Sequence, residues 1–165
     1  MRVLIGCERS GVVRDAFNAR GHNAISCNTE PSDVGGPHYQ GDVRDLLCEQ
    51  WDLAVFHPPC TYLSVSGMHW TTRRLRDPVV TEDALAFVQL LMRGMLACIA
   101  IENPVSIISS RIRKPDQIIQ PWMFGHGETK ATCLWLKNLP LLVPSNIVEG
   151  REARVHRMPQ AFYYL

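Results

Sequence analysis

The chain has 165 residues, of which 46% are hydrophobic and 20% are charged, as is usual for a single globular domain. Its formal net charge of +1 excludes a protein-wide basic field, so any contact with nucleic acid has to come from a local patch. The apolar runs are too short to span a membrane, and the first residues have no signal-peptide pattern.

Five short apolar runs predict strands, and two segments with apolar residues at helical spacing predict helices. The predicted strands are residues 2–7, 23–27, 52–56, 98–101 and 131–136. The predicted helices are residues 11–20, followed by Gly21 where a positive φ is favoured, and a segment that begins at Thr81. Strands that alternate with helices predict an α/β fold, with a mostly parallel sheet and helices on both faces. We assign residues 1–148 to one domain and residues 149–165, which fit no element, to a C-terminal tail.

The six cysteines form no Cys-x-x-Cys pair, which argues against a zinc ribbon, a redox dithiol or another metal site. Four of them lie in or beside apolar runs, where free cysteine behaves as a small buried hydrophobe. This distribution predicts the reducing cytoplasm as the compartment.

Ligands bind at the carboxyl ends of strands in open α/β sheets, and the first half of the chain has polar groups after its first two predicted strands and in a later turn at residues 41–45. The turn of residues 7–11 can bring backbone N–H groups near a charged ligand, or it is an ordinary turn. Its candidate cofactor-binding residues are Cys7, Glu8, Ser10 and Gly11. Glu30 is placed to accept hydrogen bonds from a ribose, or it is a solvated carboxylate. Asp42 is placed to accept a hydrogen bond from an adenine amino group, or to cap a turn.

A cysteine and a carboxylic acid end the next two predicted strands. Pro58 and Pro59 fix two φ angles and remove two backbone donors before Cys60, so the thiol stands on a stiff arm. Glu102 and Asn103 end the following strand, which puts a carboxyl and an amide beside that thiol. Together these two motifs are a stronger indication of a site than either one alone.

In the order of these motifs, residues 1 to about 140 resemble the cytosine-C5 DNA methyltransferase family. Pro58-Pro59-Cys60 matches its catalytic motif, and Glu102-Asn103-Pro104 resembles Glu-Asn-Val, whose Glu holds the flipped cytosine. Residues 7–11, Glu30 and Gly41-Asp42-Val43 are similar to its cofactor motifs. The resemblance implies a Rossmann-like S-adenosylmethionine-dependent methyltransferase fold for residues 1–148. It also implies S-adenosyl-L-methionine as the cofactor, with Pro58 in its site.

The chain departs from the family pattern at several positions. His57 stands where the family usually has a small residue; it could help to deprotonate Cys60, or it is a packed or solvated histidine. The later Gln-x-Arg-x-Arg motif is missing, and Lys130 and Thr132 are its nearest substitutes. The large target-recognition region of the family has no full-size counterpart. Specificity is therefore slight or supplied by a partner, or the acceptor is not duplex DNA, or the protein is a decayed remnant.

The resemblance also implies substrate contacts around the catalytic turn. The implied substrate-binding residues are Pro59, Arg73, Arg74, Arg76, Lys130 and Thr132. The three arginines lie in a loop that could contact phosphates, with the alternative that the loop is simply basic and solvated.

Cys60 and Glu102 suit methylation at carbon 5 of cytosine. Addition of a thiolate at carbon 6 makes carbon 5 nucleophilic, and an acid at nitrogen 3 stabilises the charge that this addition creates. We therefore expect S-adenosylmethionine-dependent methyl transfer to carbon 5 of cytosine in DNA through a covalent Cys60 adduct. Glu102 and Asn103 complete the expected catalytic set. The alternatives are the same chemistry on RNA or a free nucleotide, and a non-catalytic protein that binds the cofactor or nucleic acid.

Overall fold

The computed structural model describes residues 1–65, Arg73 and residues 77–152. The strands in this part of the chain are β1 (Arg2–Gly6), β2 (Asn23–Asn28), β3 (His38–Gln40), β4 (Leu53–Phe56), β5 (Ile99–Pro104), β6 (Gln117–Ile119) and β7 (Thr132–Lys137). The helices are α1 (Val12–Asn18), α2 (Val79–Arg93) and α3 (Ile108–Arg111), with 3₁₀ turns at Val43–Leu46 and Pro121–Met123. None of the described helices combines the length and the apolar character that crossing a bilayer requires.

The strands form one sheet in the order β3-β2-β1-β4-β5-β7-β6. Strands β1 to β5 pair in parallel, whereas β7 runs antiparallel to both of its neighbours, β5 and β6. The predicted mostly parallel sheet is therefore confirmed. The strand order reverses between β1 and β4, because the chain first builds outwards through β2 to β3 and then returns to the other side of β1.

Alternate residues of β1 pack into two separate cores. Leu4 belongs to the core that contains Val88 of α2, whereas Val3 and Ile5 belong to the core against which Phe17 of α1 packs. Because successive strand residues face opposite sides of a sheet, α1 and α2 lie on opposite faces, as predicted. A strand buried on both faces explains why the run from Val3 to Ile5 is continuously apolar.

The outer strand β6 is joined to a later segment of the chain through the side chain of Gln117. The Gln117 Nε2 donates to the Leu142 carbonyl at 2.7 Å, and the Gln117 Oε1 accepts from the Leu142 backbone N–H at 2.8 Å. A side-chain amide thus pairs with the backbone of Leu142 in the way that a neighbouring strand would.

Candidate active site at the carboxyl edge of the sheet

The last residues of β1 and β4 lie side by side at the point where the strand order reverses. Gly6 of β1 is in register with Phe56 of β4, and the His57 backbone N–H donates to the Gly6 carbonyl at 3.0 Å. In open α/β sheets, this position outside the carboxyl ends is where a crevice for ligands forms. The turns that follow β1, β2, β3, β4 and β5 all reach this same edge, because these strands are parallel.

The Pro-Pro-Cys turn is attached to the end of β5. The side-chain amide of Asn103 donates to the Pro58 carbonyl at 2.8 Å, and Asn103 is only 1% exposed. Past the turn, the Ile107 N–H donates to the Leu63 carbonyl at 2.9 Å. These bonds hold the segments that follow β4 and β5 together, so the position of Cys60 depends on that of β5.

The Cys60 thiol is half-buried beside two charged groups. Burial raises its pKa above the usual 9.0, the Glu102 carboxylate raises it further, and a backbone hydrogen bond at Cys60 and the Lys130 ammonium lower it. Both charges therefore lie within electrostatic reach of the sulfur. The thiol and the carboxyl that the sequence places at two strand ends come together at this edge of the sheet.

Glu102 makes a contact that the sequence analysis did not identify. The His57 Nδ1 lies 3.2 Å from the Glu102 Oε2, and each of the two side chains is 27% exposed. The other ring nitrogen of His57, Nε2, is buried without a hydrogen-bond partner among the described residues. The only sequence signal for this contact is a histidine directly after one strand and a carboxylic acid at the end of the neighbouring strand.

Lys130 and Thr132 lie at the start of β7, on the same edge. Because β7 is antiparallel to β5, Thr132 pairs with Pro104, the last residue of β5. The Lys130 backbone N–H donates to the Gln120 Oε1 at 2.8 Å, and the Thr132 hydroxyl donates to the Lys130 carbonyl at 3.2 Å. These bonds fix the backbone that carries the Lys130 charge near Cys60.

The turn after β1 is built around the carboxylate of Glu8. Its Oε1 accepts from the Val13 N–H at 2.7 Å and from the Ser10 hydroxyl at 3.2 Å, and its Oε2 accepts from the Arg14 N–H at 3.2 Å. Glu8 is 5% exposed. Its side chain thus satisfies the first N–H groups of α1, where a negative charge is favoured, and a cofactor contact of Glu8 stays a prediction.

Arg14 supports the same turn from inside the protein. Its side chain is fully buried, with Nη1 donating to the Ser26 hydroxyl at 3.1 Å and Nη2 donating to the Gly35 carbonyl at 2.6 Å. Gly11 has a φ of +73°, and a Cβ there would lie 2.5 Å from the Arg14 Nη2. Both the backbone conformation and the space at this position therefore require glycine.

The two acidic candidates after β2 and β3 differ in their surroundings. Glu30 is exposed, and its backbone carbonyl accepts a hydrogen bond from the His38 Nε2 at 3.1 Å. The Asp42 Oδ1 accepts from the Arg44 N–H at 2.9 Å and thereby caps the 3₁₀ turn, and the Arg44 guanidinium lowers the pKa of Asp42. The Asp42 carboxylate is thus a cap, as one of the two sequence interpretations has it, and is held in the ionised form.

Some of the sequence-predicted residues lie at the limit of the described chain. Arg73 is described and exposed, whereas Arg74 and Arg76 lie outside the described residues. Glu152 exchanges backbone hydrogen bonds with the segment before β7, so residues up to 152 pair with the rest of the protein, and the domain boundary at 148 stays a prediction. No group of three or more His, Cys, Asp or Glu side chains in residues 1–65, 73 and 77–152 is arranged to hold a metal ion.

Solved structures with a similar fold are methyltransferases. A putative DNA modification methyltransferase encoded within a prophage (E. coli) matches with a TM-score of 0.54 and 12% identity, over 82% of this chain and 46% of that chain. The Dnmt2 methyltransferase of S. pombe matches with a TM-score of 0.51 and 15% identity, over 82% of this chain and 48% of that chain. The methyltransferase EhMeth of Entamoeba histolytica matches with a TM-score of 0.52 and 14% identity, over 90% of this chain and 57% of that chain.

The chain spans about half the length of these three structures. No protein-family model and no curated protein sequence matches it. These structures confirm the predicted resemblance at the level of the fold. At identities of 12 to 15%, the resemblance does not extend to substrate or mechanism. The chain has the Rossmann-like fold of S-adenosylmethionine-dependent methyltransferases.

Proposed function

We propose that this chain transfers a methyl group from S-adenosyl-L-methionine to carbon 5 of cytosine in DNA, with Cys60 as the nucleophile and Glu102 as the acid. The observation that carries the proposal is the proximity of these two side chains at adjacent strand ends, where the Glu102 carboxylate raises the pKa of the Cys60 thiol. A nucleophilic thiol and an acid that reach one ring are the minimum set for this reaction.

The reaction proceeds by a covalent adduct. The Cys60 sulfur forms a bond to carbon 6 of cytosine while Glu102 protonates, or donates a hydrogen bond to, nitrogen 3. Carbon 5 is then nucleophilic enough to take a methyl group; S-adenosyl-L-methionine, when bound, would supply that group as an electrophile and would keep the electron pair of the broken bond on its sulfur. The proton on carbon 5 is lost to water or a nearby base, the Cys60 sulfur leaves carbon 6 as the thiolate, and nitrogen 3 returns its proton to Glu102, so that the aromatic ring is restored.

In this scheme, the charge on Glu102 affects how readily Cys60 forms the thiolate. The ionised carboxylate raises the pKa of Cys60 and so opposes formation of the thiolate, whereas the Lys130 ammonium favours it. Protonation of Glu102 removes the opposing charge. The acid form of Glu102 and the thiolate form of Cys60 therefore favour each other, and these are the two forms that the addition step requires.

The residues after β1, β2 and β3 fit a cofactor that contains a ribose and an adenine. The exposed carboxylate of Glu30 suits ribose hydroxyls. Both oxygens of Asp42 already accept from Arg44, so an adenine amino group would take the place of one of those hydrogen bonds. Glu8 supports the turn through its hydrogen bonds to α1. The remaining proposed cofactor-binding residues are Cys7, Ser10, Gly11 and Pro58.

DNA is the proposed acceptor and partner. Pro59 is exposed next to Cys60, and Lys130 and Thr132 share the edge of the sheet with it. Arg73 is exposed, and with Arg74 and Arg76 it would supply positive charge for phosphates. Because the overall charge is only +1, binding depends on such local groups.

The proposal is tested with the full chain, labelled S-adenosyl-L-methionine and three acceptors: DNA, RNA and free cytidine nucleotides. We expect label on carbon 5 of cytosine in DNA, with wild-type and Cys48→Ser proteins active and Cys60→Ser inactive. Cys48 is an exposed, free cysteine in the loop before β4, which makes it a matched control. DNA that contains 5-fluorocytosine has no proton to lose at carbon 5, so it should trap a Cys60 adduct that survives denaturation.

Retained transfer in Cys60→Ser would contradict the covalent mechanism. If label appears only on RNA, or only on free nucleotides, that molecule is the acceptor and DNA is not. Tight binding of the cofactor without transfer to any acceptor would instead support a non-catalytic binding protein.

A further inference from the structure

His57 connects the end of β1 to the acid on β5. Its backbone N–H donates to the Gly6 carbonyl at 3.0 Å, so the residue is anchored where β1 and β4 end together. Its ring reaches across to Glu102, with 3.2 Å between Nδ1 and Oε2. The residue that follows it, Pro58, is held by Asn103 from β5. The backbone of His57 and of Pro58 is therefore held in place before any ligand binds, and the ring contacts Glu102 through Nδ1.

The contact between Nδ1 and Oε2 restricts the carboxyl of Glu102. A glutamate side chain has three rotatable bonds, so holding it in one conformation has an entropic cost. A hydrogen bond to Oε2 orders the side chain before substrate binds and leaves Oε1 available. A proton that Glu102 carries while it accepts a hydrogen bond at Oε2 then resides on Oε1.

We propose that His57 is a positioning residue for Glu102: its Nδ1–H holds Oε2, so that Oε1 is directed at nitrogen 3 of a cytosine bound next to Cys60. This role rests on the proposed function. It is specific to this chain in comparison with the family that the sequence resembles, where a small residue usually stands at this position. The buried Nε2 has no partner among the described residues, so in this role the ring acts through Nδ1 alone.

Two substitutions test which of the two ring nitrogens of His57 has the proposed role. Asparagine places its amide nitrogen close to the position of Nδ1, and glutamine places its amide nitrogen close to that of Nε2. We expect His57→Asn to keep kcat within about threefold of the wild type, and His57→Gln and His57→Ala to lose about 10- to 100-fold, as for a misplaced catalytic group. The KM for DNA should change much less than kcat in all three. His22→Asn, in the turn before β2 at the opposite edge of the sheet, is the matched control.

The contact between His57 and Glu102 can be measured by NMR, independently of methyl transfer. In ¹⁵N-histidine NMR spectra of the full chain, the His57 resonances, assigned by their loss in His57→Asn, should report the tautomer with the proton on Nδ1. That preference should weaken in Glu102→Ala.

If the wild type is active and kcat is normal in His57→Ala, His57→Asn and His57→Gln, the positioning role is overturned, while the proposed function is not. Rescue by glutamine instead of asparagine would also overturn it, because Nε2 would then be the working atom. Absence of methyl transfer in the wild type would contradict the proposed function and this role together. If all three variants lose the same amount of thermal stability and the same fraction of kcat, His57 has a structural role only.

Discussion

The amide of Asn103 joins the end of β5 to the arm that carries Cys60, through a 2.8 Å hydrogen bond from its Nδ2 to the Pro58 carbonyl. Both residues are buried, and the Asn103 Oδ1 is a further buried atom without a partner among the described residues. Proline cannot donate a backbone hydrogen bond, so the Pro-Pro-Cys segment depends on acceptors such as this carbonyl for its attachment. This side-chain hydrogen bond, the bond from the Ile107 N–H to the Leu63 carbonyl and the pairing of β4 and β5 together set the relative position of the thiol and the acid.

Removal of this bond should affect stability and catalysis together. Asn103→Ala leaves the Pro58 carbonyl buried without its donor, which we expect to cost about 1–3 kcal/mol of unfolding free energy. It should also lower the yield of the trapped Cys60 adduct. Urea unfolding measures the first effect, and a denaturing gel with 5-fluorocytosine DNA measures the second. Gln50→Ala, an exposed amide at the other edge of the sheet, should change neither; an unchanged adduct yield in Asn103→Ala would show that the bond does not position Cys60.

The reactivity of Cys60 should respond in opposite directions to its two charged neighbours. Glu102→Gln removes a charge that raises the pKa of Cys60, and Lys130→Met removes one that lowers it. Because the thiolate is the reactive form, we expect iodoacetamide to label Cys60 faster in the first variant and more slowly in the second. In the wild type the rate should rise about tenfold per pH unit while the pH is below the pKa. Mass spectrometry of a Cys48→Ser background resolves the site, with Lys114→Met as the control for loss of one positive charge.

The sequence predicts the long strands and their alternation with helices because each of those strands is an apolar run. It does not predict β3 or β6, which are three residues long and show neither alternation nor a run. They are strands because the edges of β2 and β7 accept them as partners. The antiparallel direction of β7 is likewise absent from the apolar pattern, which is the same for both directions.

The site is predictable to the extent that strand ends carry its residues. Cys60 and Glu102 follow from their motifs, whereas the contact of His57 with Glu102 depends on the register that pairs Ala54 with Ile99. The burial of Arg14 is also hidden, because an arginine on a short helix is usually exposed. Its acceptors come from β2 and from the loop before β3, so only the folded chain brings them together.

The buried guanidinium of Arg14 should contribute strongly to stability. Arg14→Met keeps much of the volume but leaves the Ser26 hydroxyl and the Gly35 carbonyl without this donor. We expect the unfolding free energy to fall by about 3 kcal/mol. Arg14→Lys should lose a similar amount, because one ammonium cannot reproduce the planar fork of donors. Arg20→Met, an exposed arginine just past α1, should change stability by about 0.5 kcal/mol or less; a similar effect of the two methionine variants would contradict this assignment.

The half-buried thiol of Cys7 and the buried thiol of Cys27 should make the fold sensitive to alkali. Burial raises the pKa of Cys7 and of Cys27 from 9.0 to about 12, with the Asp42 carboxylate adding to both shifts. Above the unfolded value of 9.0 the unfolded chain has lost protons that the folded chain retains, so the unfolding free energy falls as the pH rises towards 12. Each thiol contributes a slope of at most about 1.4 kcal/mol per pH unit in that window.

Urea unfolding between about pH 8 and pH 10.5 measures this slope. Cys27→Ala should be less stable at the lower pH and should show a shallower decline, whereas Cys48→Ala should keep the wild-type slope. A decline of equal steepness in Cys27→Ala would assign the alkaline sensitivity to other groups.

The pairing of Gln117 with the Leu142 backbone has a consequence for solubility. An outer strand presents unpaired N–H and C=O groups to which a strand of another molecule can add. On either side of Leu142, Leu141 is 57% and Val143 is 79% exposed, so release of this segment from Gln117 would free the edge of β6 next to apolar side chains that are already exposed. A single side-chain amide thus helps to keep molecules of this protein from joining edge to edge, and its loss in Gln117→Ala would favour self-association and aggregation even where the sheet itself is intact.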